Sequence, residues 1–521
     1  MSGLFALFER AETLSLSMRE FTDCALPSLP HGDSSANDRY LSDNKQIAER
    51  NNVCIVFVGK LLNRGRLVER ICNRNPEANS QFDADIALEL FFQEETQAFA
   101  LMEGYWSLII ADKNTQKVYA ARDHFGNRSL YYCKTDKQFG IASESKTLVS
   151  RLKGVGEINK NAVLEYLQCE DIYKYNNNLF SDIHELKPAS YLVYSHIDNE
   201  IEEQPYYVLP YKNCKGGYNK YEEPFHIDKV RQLILENIAK NIAGKDKIAI
   251  VFDGGIDSAT LLCCVKKLNP NCRLTAFTST DLYGEREIDR VKKAINNKEI
   301  DWINVPCNPQ EVLQQLREIN RNQNPPVLSL NAVIQHNIME TAKQHGFDAI
   351  MDGRGADELF AGHTYYFLPF LKSLRSQWMF KDWAREFLLS YNSGISHKKL
   401  LSLKLKSFSK KHYRNDGKSV LNDYLYESYT NILPYISRFG EDIAASLGID
   451  YLKPFSNGKE LAEFVFSIPS TFKIHNGWTK YLLRTSMIGI VPDEIRWGRQ
   501  KNEVGNEIKE QIRQINDGET L

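Results

Sequence analysis

The chain has 521 residues, of which 42% are hydrophobic and 25% are charged. These proportions are those of ordinary globular proteins, and they exclude the disordered, collagen-like and coiled-coil classes. With 65 basic and 67 acidic side chains the net charge is -2, so no global field favours nucleic acid or a membrane surface as a partner. At roughly one to two hundred residues per domain, the length predicts two or three domains.

The sequence shows neither an export or membrane signal nor a cysteine pattern typical of disulfide bonds. No apolar run reaches the roughly eighteen residues that a membrane span requires, and the amino-terminal residues lack the basic start of a signal peptide. We therefore expect a cytoplasmic protein. The ten cysteines include no Cys-x-x-Cys pair, so we expect reduced, mostly buried thiols rather than disulfides or a zinc site.

The first two hundred residues or so consist of short apolar or alternating runs separated by turn signals, which predicts a layer rich in strands. The runs interpreted as strands include 54–58, 106–111 and 190–194. A polar stretch follows, and we interpret it as an exposed connection between domains. We therefore predict a first domain at 1–205, a linker at 206–224 and a second domain at 225–521.

After the linker, strands and helices alternate. Such alternation predicts a parallel sheet covered by helices, and ligands of these sheets bind beyond the carboxyl ends of the strands. From residue 365 onward, helices dominate the pattern. The predicted elements before that point are a helix at 230–242, a strand at 248–252, a helix through 261–265, a strand at 274–277, a helix over 288–295 and a strand at 302–305.

The stretch 398–418 has a strong local charge, with eight basic side chains against a single acid, Asp416. A solvated helix face or a loop is the ordinary interpretation of such a run. The alternative is a docking strip for an acidic peptide or a partner protein.

A glycine turn follows the strand at 248–252, with the sequence Asp-Gly-Gly-Ile-Asp-Ser at 253–258 and a helix after it. Glycines between a buried strand and a helix N-terminus let backbone N–H groups approach an oxyanion, and the helix end adds partial positive charge. The pattern therefore indicates an anion cradle. Tight turns also use glycine for conformational reasons alone.

The turn resembles Ser-Gly-Gly-x-Asp-Ser, the pyrophosphate-binding signature of ATP pyrophosphatases of the asparagine synthetase type, at every position except the first. The segment 351–362 is similar to the second signature of that family. Other segments resemble family elements in the same order, namely 121–126, 130–132 and 142–146 before the turn, and 452–455, 479–484 and 492–501 after it.

The resemblance covers nearly the whole chain and implies its fold class. It implies an N-terminal Ntn-hydrolase-like antiparallel β sandwich with helices. It also implies a C-terminal ATP-pyrophosphatase domain, in which a parallel α/β sheet is followed by a helical extension.

The resemblance also implies a reaction. In family members a carboxylate attacks the α-phosphorus of ATP, giving an acyl-adenylate and pyrophosphate, and an amine then attacks the acyl carbon. The implied cofactors are ATP and Mg²⁺, with Asp257 and Asp357 as the magnesium ligands, since Mg²⁺ prefers hard oxygen ligands. The structural alternative for each aspartate is a helix N-cap.

Further site residues follow from the same resemblance. Lys501 and Lys480 are implied to lie over the departing pyrophosphate and the tetrahedral intermediate, where a positive charge stabilises developing negative charge. Backbone groups near Phe277 and Thr278 would hold adenine. The full ATP-binding set is Phe252, Asp253, Gly254, Gly255, Asp257, Ser258, Phe277, Thr278, Gly353, Arg354 and Gly355.

The N-terminal part departs from the glutamine-dependent members of the family. Those proteins begin Met-Cys-Gly and use the cysteine as nucleophile, whereas Ser2 occupies that position here. The glutamine-contacting Asn-Gly-Glu appears as Val58-Gly-Lys60, the Arg-Gly-Pro-Asp loop has no counterpart at 29–33, and Asp85 alone matches the pocket. The Val58 side chain cannot hydrogen-bond the amide of glutamine, and Lys60 would repel the glutamine ammonium. We therefore predict an inactive glutaminase-like domain that acts as a scaffold.

Loss of the glutaminase half is shared by β-lactam synthetases, carbapenam synthetases and lasso-peptide cyclases, in which the substrate supplies the amine and the product is a ring. Arg438-Phe439, followed by 447–449 and 453–455, resembles the lasso cyclases more than the asparagine synthetases. The implied substrate is a peptide or an amino-acid derivative. A precursor peptide and a leader-processing protein are the partners that this implies, with neither nucleic acid nor membrane.

Two departures lie in the second domain. Asp253 places a carboxylate where pyrophosphate should lie, and it either recruits a second magnesium ion or weakens the site. Arg354 occupies a position that is Tyr in β-lactam synthetases and Glu in asparagine synthetases. Because Arg354 is permanently protonated it cannot act as a base, but its fork suits a substrate carboxylate. Glu441 or Asp442 would supply the base by alignment, although a solvent-facing helix position is the ordinary interpretation of both.

Three hypotheses follow. The first is an AMP-forming amide ligase, a cyclase that acts on a peptide or a modified amino acid. The second is asparagine synthesis from free ammonia or from ammonia delivered by a partner. The third is a catalytically silent relative that acts as a binding scaffold.

Overall fold

The computed structural model describes residues 4–9, 45–78, 80–168, 178–211, 216–279, 288–289, 292, 300–308, 310–323, 330–397, 400 and 420–498. Among these residues, no helix combines the length and apolarity that crossing a membrane requires. The chain divides into two compact units. Unit 1 comprises 1–208, 320–328 and 434–448, and unit 2 comprises 209–319, 329–433 and 449–521.

Unit 1 contains two antiparallel sheets. One has four strands in the order β1-β7-β6-β8, and the other has six in the order β10-β9-β5-β4-β3-β2. The strands are β1 (Phe5–Glu9), β2 (Lys45–Arg50), β3 (Val53–Leu61), β4 (Gly104–Asp112), β5 (Lys117–Arg122), β6 (Tyr131–Lys134), β7 (Gln138–Ala142), β8 (His184–Glu185), β9 (Ser190–Ser195) and β10 (Glu200–Pro205).

The alternation of side chains along β3 shows why unit 1 has layers. Cys54, Val56 and Val58 join a buried cluster that also contains side chains of β1 and β7, so the two sheets pack face to face. The intervening Ile55 and Phe57 belong to a second cluster, formed with the helices that cover the six-stranded sheet. The strand is continuously apolar because both of its faces are buried. The helices of unit 1 include Arg64–Arg74, Asp83–Glu94, Ala98–Leu101, Ser145–Arg151 and Lys160–Gln168, with a 3₁₀ turn at Glu95–Gln97.

Two later segments of the chain complete unit 1, whereas the sequence placed all of 225–521 in one domain. In the first, the Lys146 ammonium donates to backbone carbonyls of Asn320 and Gln323, at 3.2 and 2.5 Å. In the second, Arg438 in the helix Leu433–Leu447 donates to Glu185 at 2.5 Å. Local sequence patterns could not predict this, since the segments belong to unit 1 through contacts across 174 to 253 residues of sequence.

Unit 2 is built on a five-stranded parallel sheet in the order β13-β12-β11-β14-β15. The strands are β11 (Lys247–Val251), β12 (Arg273–Thr278), β13 (Ile300–Asn304), β14 (Ala349–Met351) and β15 (Asp450–Leu452). The order reverses between β11 and β14, because β12 and β13 lie on one side of β11 and the two later strands lie on the other. In open parallel sheets, such a reversal opens a crevice at the carboxyl ends of the strands, where ligands bind.

Helices make up most of the rest of unit 2. The longest, Glu223–Ile242, has Pro224 in its first turn, where a missing N–H costs nothing. The other described helices are Ile256–Leu268, Val312–Asn322, Leu330–Gln344, Ala356–Phe360, Phe367–Ser376, Phe380–Leu389, Val420–Glu427, Pro454–Asn457, Lys459–Phe466, Ser470–Lys473, Tyr481–Ser486 and Asp493–Arg496, with 3₁₀ turns at Thr364–Tyr366 and Ser390–Ser393 and a π turn at Ser428–Ile432.

The fold class predicted from the sequence is confirmed, with an antiparallel sandwich carrying helices in unit 1 and a parallel α/β sheet with helices in unit 2. The six strand predictions match β3, β4, β9, β11, β12 and β13. The predicted helix over 288–295 lies mostly outside the described residues. The basic strip at 398–418 lies outside them as well, apart from Leu400.

Candidate active site

The carboxyl ends of β11 and β14 adjoin at the point where the strand order reverses. Ile250 pairs with Met351 across the two strands, so the loops that follow them begin side by side. The glycine turn follows β11, and the second predicted signature follows β14. The sheet therefore places the two signatures next to each other, although about a hundred residues separate them in sequence.

The glycine turn holds its own carboxylate. Oδ1 of Asp253 accepts a hydrogen bond from the Gly255 N–H at 2.8 Å and another from the Ser258 hydroxyl at 2.5 Å. Gly254 has a φ of +76°, a backbone conformation that favours glycine. Phe252 is buried, and its N–H donates to the Phe277 carbonyl at 2.8 Å, which fixes the start of the turn against β12. Asp253 thus occupies donors that an anionic ligand at this helix end would use.

The second loop packs tightly against the first. A Cβ atom added to Gly353 would lie 2.9 Å from Cβ of Asp257, so only glycine allows the loops to approach this closely. Gly355 has a φ of +98°, and a Cβ there would lie 2.9 Å from the backbone of Phe455. Asp357 follows in the first turn of the helix Ala356–Phe360. Its position opposite Asp257 is therefore set by backbone packing.

Lys480 joins the two aspartates. Its ammonium contacts a carboxylate oxygen of Asp257 and lies 2.8 Å from Oδ1 of Asp357, and its side chain is 6% exposed. Lys480 has a φ of 55°, which costs a non-glycine residue roughly 1 kcal/mol or more. A Cβ on Gly362 would lie 1.8 Å from Asp357 Oδ1 and 2.0 Å from Lys480 Cε, so this glycine leaves the space in which the two side chains meet.

The charges in this cluster do not balance. Burial raises the pKa of Asp257 to about 7, with the Lys480 ammonium opposing this effect and the Asp357 charge adding to it. Burial also raises the pKa of Asp357, but Lys480 and His363 outweigh burial and hold it below its usual value. When both carboxylates are ionised, one ammonium leaves a net charge of -1. A cluster of this kind attracts a further cation.

The two aspartates fit a magnesium ion. Oδ1 of Asp257 is buried and accepts no hydrogen bond from the described residues. A carboxylate oxygen left in this state costs free energy unless a cation or a donor reaches it. Carboxylate oxygens are the ligands that Mg²⁺ prefers. Asp257 and Asp357 are therefore the residues that would hold the ion.

His363 and Glu358 also belong to this cluster, and the sequence analysis missed them. Ring nitrogens of His363 lie 3.9 Å from Asp357 Oδ1 and 3.6 Å from Glu358 Oε1. Burial lowers the pKa of His363, but the two neighbouring carboxylates outweigh it and raise the pKa above its usual value. The sequence could have pointed to both residues, because Glu358 lies within the second signature, 351–362, and His363 follows it directly.

Arg354 is held by a chain of hydrogen bonds. Its guanidinium donates to Gln335 Oε1 at 2.7 Å, and the Gln335 amide donates to the Tyr451 hydroxyl at 2.8 Å. The Tyr451 hydroxyl in turn donates to Asp352 Oδ2 at 2.6 Å, and that same oxygen lies 3.7 Å from Nε of Arg354. These contacts thus form a closed ring that begins and ends at Arg354, and this ring fixes the Arg354 side chain.

The end of β12 offers two further polar groups. Thr278 and the following Ser279 have buried hydroxyls with no hydrogen-bond partner among the described residues. Thr278 was predicted from the sequence, whereas Ser279 was not. Since β12 lies beside β11, these hydroxyls and the glycine turn follow neighbouring strands of the sheet. They suit the polar groups of a nucleotide.

The segments near the carboxyl terminus are tied together by two arginines. Arg484 donates to carbonyls of Thr479, Arg496 and Gly498, and Arg496 donates to the Arg484 carbonyl at 2.9 Å. These bonds join the helix that starts after Lys480 to the segment that leads towards residue 501. Lys501 itself lies outside the described residues.

Glu441 lies in unit 1, whereas the aspartate pair lies in unit 2. Its carboxylate is 3.0 Å from the Arg128 guanidinium, and its side chain is 6% exposed. The expected solvent-facing position of Glu441 is therefore wrong, because the ion pair with Arg128 lets a charged helix residue be buried. The neighbouring Asp442 is also partly buried, and burial raises its pKa to about 8, with Arg438 opposing the effect.

The residues that replace a glutamine pocket have structural contacts. Val58 is 4% exposed and lies in the core between the two sheets. Asp85 accepts a hydrogen bond from the Phe82 N–H at 3.0 Å and so closes the start of the helix Asp83–Glu94. Ser2 lies outside the described residues.

Comparisons with known proteins match both parts of the chain. The family model described as asparagine synthase matches residues 229–517, and the one described as glutamine amidotransferase domain matches residues 41–207. Asparagine synthetase [glutamine-hydrolyzing] 1 of Bacillus subtilis is 24% identical over 479 residues, which cover 85% of this chain and 74% of that protein.

Two further relatives are similar over part of their length. A putative asparagine synthetase [glutamine-hydrolyzing] 1 of Methanocaldococcus jannaschii is 26% identical, with 61% of this chain and 54% of that protein covered. Amidase chyE of Penicillium rubens is 22% identical, with 69% and 55% covered. The chain thus spans about half the length of these two proteins.

Proposed function

Because this chain belongs to the asparagine synthase family, whose members are ATP-dependent carbon–nitrogen ligases that form AMP and pyrophosphate, we propose that it closes a ring in its own substrate. A substrate carboxylate would be adenylated by ATP, releasing pyrophosphate. An amine of the same molecule would then attack the acyl carbon, releasing AMP and a proton. The substrate would be a peptide or an amino-acid derivative, as for lasso-peptide macrolactam cyclases.

One observation supports the adenylation step above the others. Asp257 and Asp357 face each other at the reversal point of the sheet and share one ammonium, that of Lys480, which leaves one negative charge in excess when both carboxylates are ionised. A magnesium ion bound there would neutralise phosphate charge. The ammonium of Lys480 is buried between the two loops, where a fixed positive charge stabilises charge that develops on a leaving pyrophosphate.

The glycine turn and the end of β12 supply binding groups for the nucleotide. The helix Ile256–Leu268 directs its N-terminal N–H groups at the turn, and such groups bind phosphate oxygens. The buried hydroxyls of Thr278 and Ser279 would hydrogen-bond the nucleoside. Lys501 would lie over the pyrophosphate, as the family resemblance implies.

The proposal that the amine comes from the substrate rests on unit 1. The position that contacts glutamine in the amidotransferase relatives is Val58 here, and its side chain is part of the core. Lys60 would repel the ammonium of glutamine, and residue 2 is serine rather than cysteine. We expect no release of glutamate when the purified chain is incubated with glutamine, and measurable release would contradict this assignment.

Asparagine synthesis from free or partner-delivered ammonia is the second candidate. The similarity to two asparagine synthetases favours it, and both of those proteins are described as glutamine-hydrolyzing. A catalytically silent scaffold is the third candidate, and the Asp253 carboxylate within the glycine turn favours it.

Exchange of labelled pyrophosphate into ATP distinguishes the three. Exchange that requires a precursor peptide supports ring closure, and exchange with aspartate supports asparagine synthesis. No exchange with any carboxylate would support the scaffold. The peptide to test first is the product of a short gene beside a gene for a leader-processing protein, since these are the partners that the proposal requires.

A further inference from the structure

The position of Arg354 divides the candidate site into two parts. Along the sheet, Thr278 follows β12, the glycine turn follows β11, and Arg354 follows β14 next to β15. The hydroxyls suited to the nucleoside and the glycine turn therefore lie at the first two strands, and Asp357, in the loop and helix after β14, completes the carboxylate pair on the pyrophosphate side. What remains at β14 and β15 is the side from which a carboxylate substrate would reach the α-phosphorus. Arg354 lies on that side.

The surroundings of Arg354 fix both its position and its orientation. Gly353 is pressed against Asp257 and Gly355 against the backbone of Phe455, so the backbone of residue 354 cannot move away from the metal-binding loop. Gln335 and Tyr451 are 5% and 1% exposed, and they hold the guanidinium from buried positions. A side chain held by a buried network is already ordered before a ligand binds.

Part of the Arg354 side chain remains within reach of solvent. It is 21% exposed, whereas Gln335 is buried and Asp352 is 17% exposed. The Tyr451 hydroxyl donates at 2.6 Å to the same Asp352 oxygen that faces Arg354. Sharing that oxygen weakens the internal ion pair, whose closest atoms are 3.7 Å apart.

We infer that Arg354 is a specificity-determining residue that binds a second carboxylate of the substrate, one that is not activated. The planar fork of a guanidinium matches the two oxygens of a carboxylate. The inference rests on the proposed function, since it assumes that the acyl substrate binds beside β14. It narrows the substrate to molecules with two carboxylates, or with one carboxylate in a side chain and a free carboxyl terminus.

Gln335 and Tyr451 act as positioning residues in this scheme. They touch the guanidinium or each other and need no contact with the substrate. Tyr451→Phe removes the hydroxyl that joins Gln335 to Asp352 while it keeps the ring. We expect this variant to lose part of the preference for a second carboxylate and to keep the rest.

The test measures binding by calorimetry to the full-length protein with a non-hydrolysable ATP analogue and Mg²⁺. Three pairs of probes differ by one carboxylate: L-aspartate against β-alanine, L-glutamate against 4-aminobutanoate, and glycyl-aspartyl-glycine against its carboxyl-terminal amide. We expect the probe with the extra carboxylate to bind about tenfold tighter or more in at least one pair. The amino-acid pairs and the peptide pair distinguish a free α-carboxylate from a peptide terminus.

Arg354→Gln should abolish that preference, and Arg354→Lys should keep only part of it, because an ammonium cannot form the fork. Arg273→Gln is the matched control, since Arg273 begins β12 at the opposite end of the strand, and it should leave the preference unchanged. Circular dichroism and thermal unfolding verify that each variant folds. No preference in any pair, or the same preference in Arg354→Gln, would overturn the inference.

Pyrophosphate exchange keeps this test separate from that of the proposed function. A binding preference that Arg354→Gln removes, in a protein without exchange, would support the specificity role and contradict the ligase. Exchange with an unchanged preference in Arg354→Gln would support the ligase and contradict the specificity role.

Discussion

The ammonium of Lys480 lies 2.8 Å from Oδ1 of Asp357, in the place where a bound cation would neutralise that carboxylate. The same ammonium contacts Asp257. One lysine therefore holds together two partly buried carboxylates that would otherwise repel each other. It also competes with any metal ion for the same two carboxylates. The charge of this trio determines how the site responds to magnesium and to substitution.

We expect Lys480→Met to make the protein dependent on magnesium for stability. Without the ammonium, two partly buried carboxylates repel each other, and the loss should cost less than the roughly 3 to 5 kcal/mol of a fully buried pair, because the side chains are 15% and 28% exposed. Thermal unfolding with and without Mg²⁺ measures the effect, and the ion should raise the Tm of the variant more than that of the wild type. Activity should fall by about 100-fold or more.

Lys240→Met is the control for that experiment. Lys240 pairs with Glu460 at 3.2 Å, and both side chains are partly exposed. Such a pair contributes about 0 to 1 kcal/mol, so the variant should respond to Mg²⁺ as the wild type does. If the two variants responded alike, the ammonium of Lys480 would not control how Asp257 and Asp357 respond to Mg²⁺.

We expect Asp253→Ser to strengthen nucleotide binding. The carboxylate of Asp253 occupies the Gly255 N–H and the Ser258 hydroxyl, and serine would release both to a phosphate while removing a negative charge. The KM for ATP should fall by roughly threefold to tenfold, the equivalent of about 1 kcal/mol. Asp253→Asn keeps the shape of the side chain without its charge, so its KM for ATP should lie between those of the wild type and of Asp253→Ser. A loss of activity in both variants would instead indicate that Asp253 binds a second metal ion.

We expect Gly362→Ala to remove activity or soluble protein. The added Cβ would lie 1.8 Å from Asp357 Oδ1 and 2.0 Å from Lys480 Cε, which forces the pair apart. Gly65→Ala is the matched control, because nothing lies within 4 Å of its Cβ position and the residue lies in the first turn of the helix Arg64–Arg74, where alanine is tolerated. Solubility, Tm and pyrophosphate exchange of the two variants give the comparison. Full activity in Gly362→Ala would mean that Lys480 and Asp357 need not meet.

Asp442→Asn should stabilise the protein at alkaline pH. Burial raises the pKa of Asp442 from 3.8 to about 8, with Arg438 and Arg128 opposing this and the charges of Glu144 and Glu441 adding to it. The folded state therefore binds a proton that the unfolded state loses, so this carboxyl lowers stability as the pH rises from about 4 to 8. The slope is at most about 1.4 kcal/mol for each pH unit.

Denaturation at a series of pH values measures this effect. The asparagine variant should show a flatter profile than the wild type over that range, and the two should converge near pH 4. Parallel profiles would indicate that Asp442 titrates normally in the folded protein.

The sequence predicted the parts of the site that lie within short motifs. Asp257 and Asp357 came from two motifs of the family resemblance, and the structure adds that these motifs follow the adjacent strands β11 and β14. Lys480 came only from the family resemblance, because nothing in its local pattern separates it from a solvated lysine. The contact of Gly362 with the Lys480 side chain could not be predicted, since it depends on the packing of residues 118 positions apart.

Other features required the three-dimensional fold. The sequence marks Arg354 as a departure from the family pattern, but its partners Gln335 and Tyr451 lie outside every motif. For Glu441, a solvent-facing helix position is the ordinary interpretation of the sequence. The structure instead places it against Arg128, which is more than three hundred residues earlier in the chain.

The composition of unit 1 has a consequence for the ancestry of this protein. Residues 434–448 belong to that unit, and Arg438 binds Glu185 there. A gene cut after residue 208 would encode a sandwich without its last helix, and Glu185 would keep only Arg122 as a described arginine partner. Exchange of residues 1–208 as a cassette would therefore separate Glu185 from a helix that belongs to the same unit. Under the proposed function, in which no glutamine is used, this interleaving rather than catalysis would keep the amidotransferase-like part in the chain.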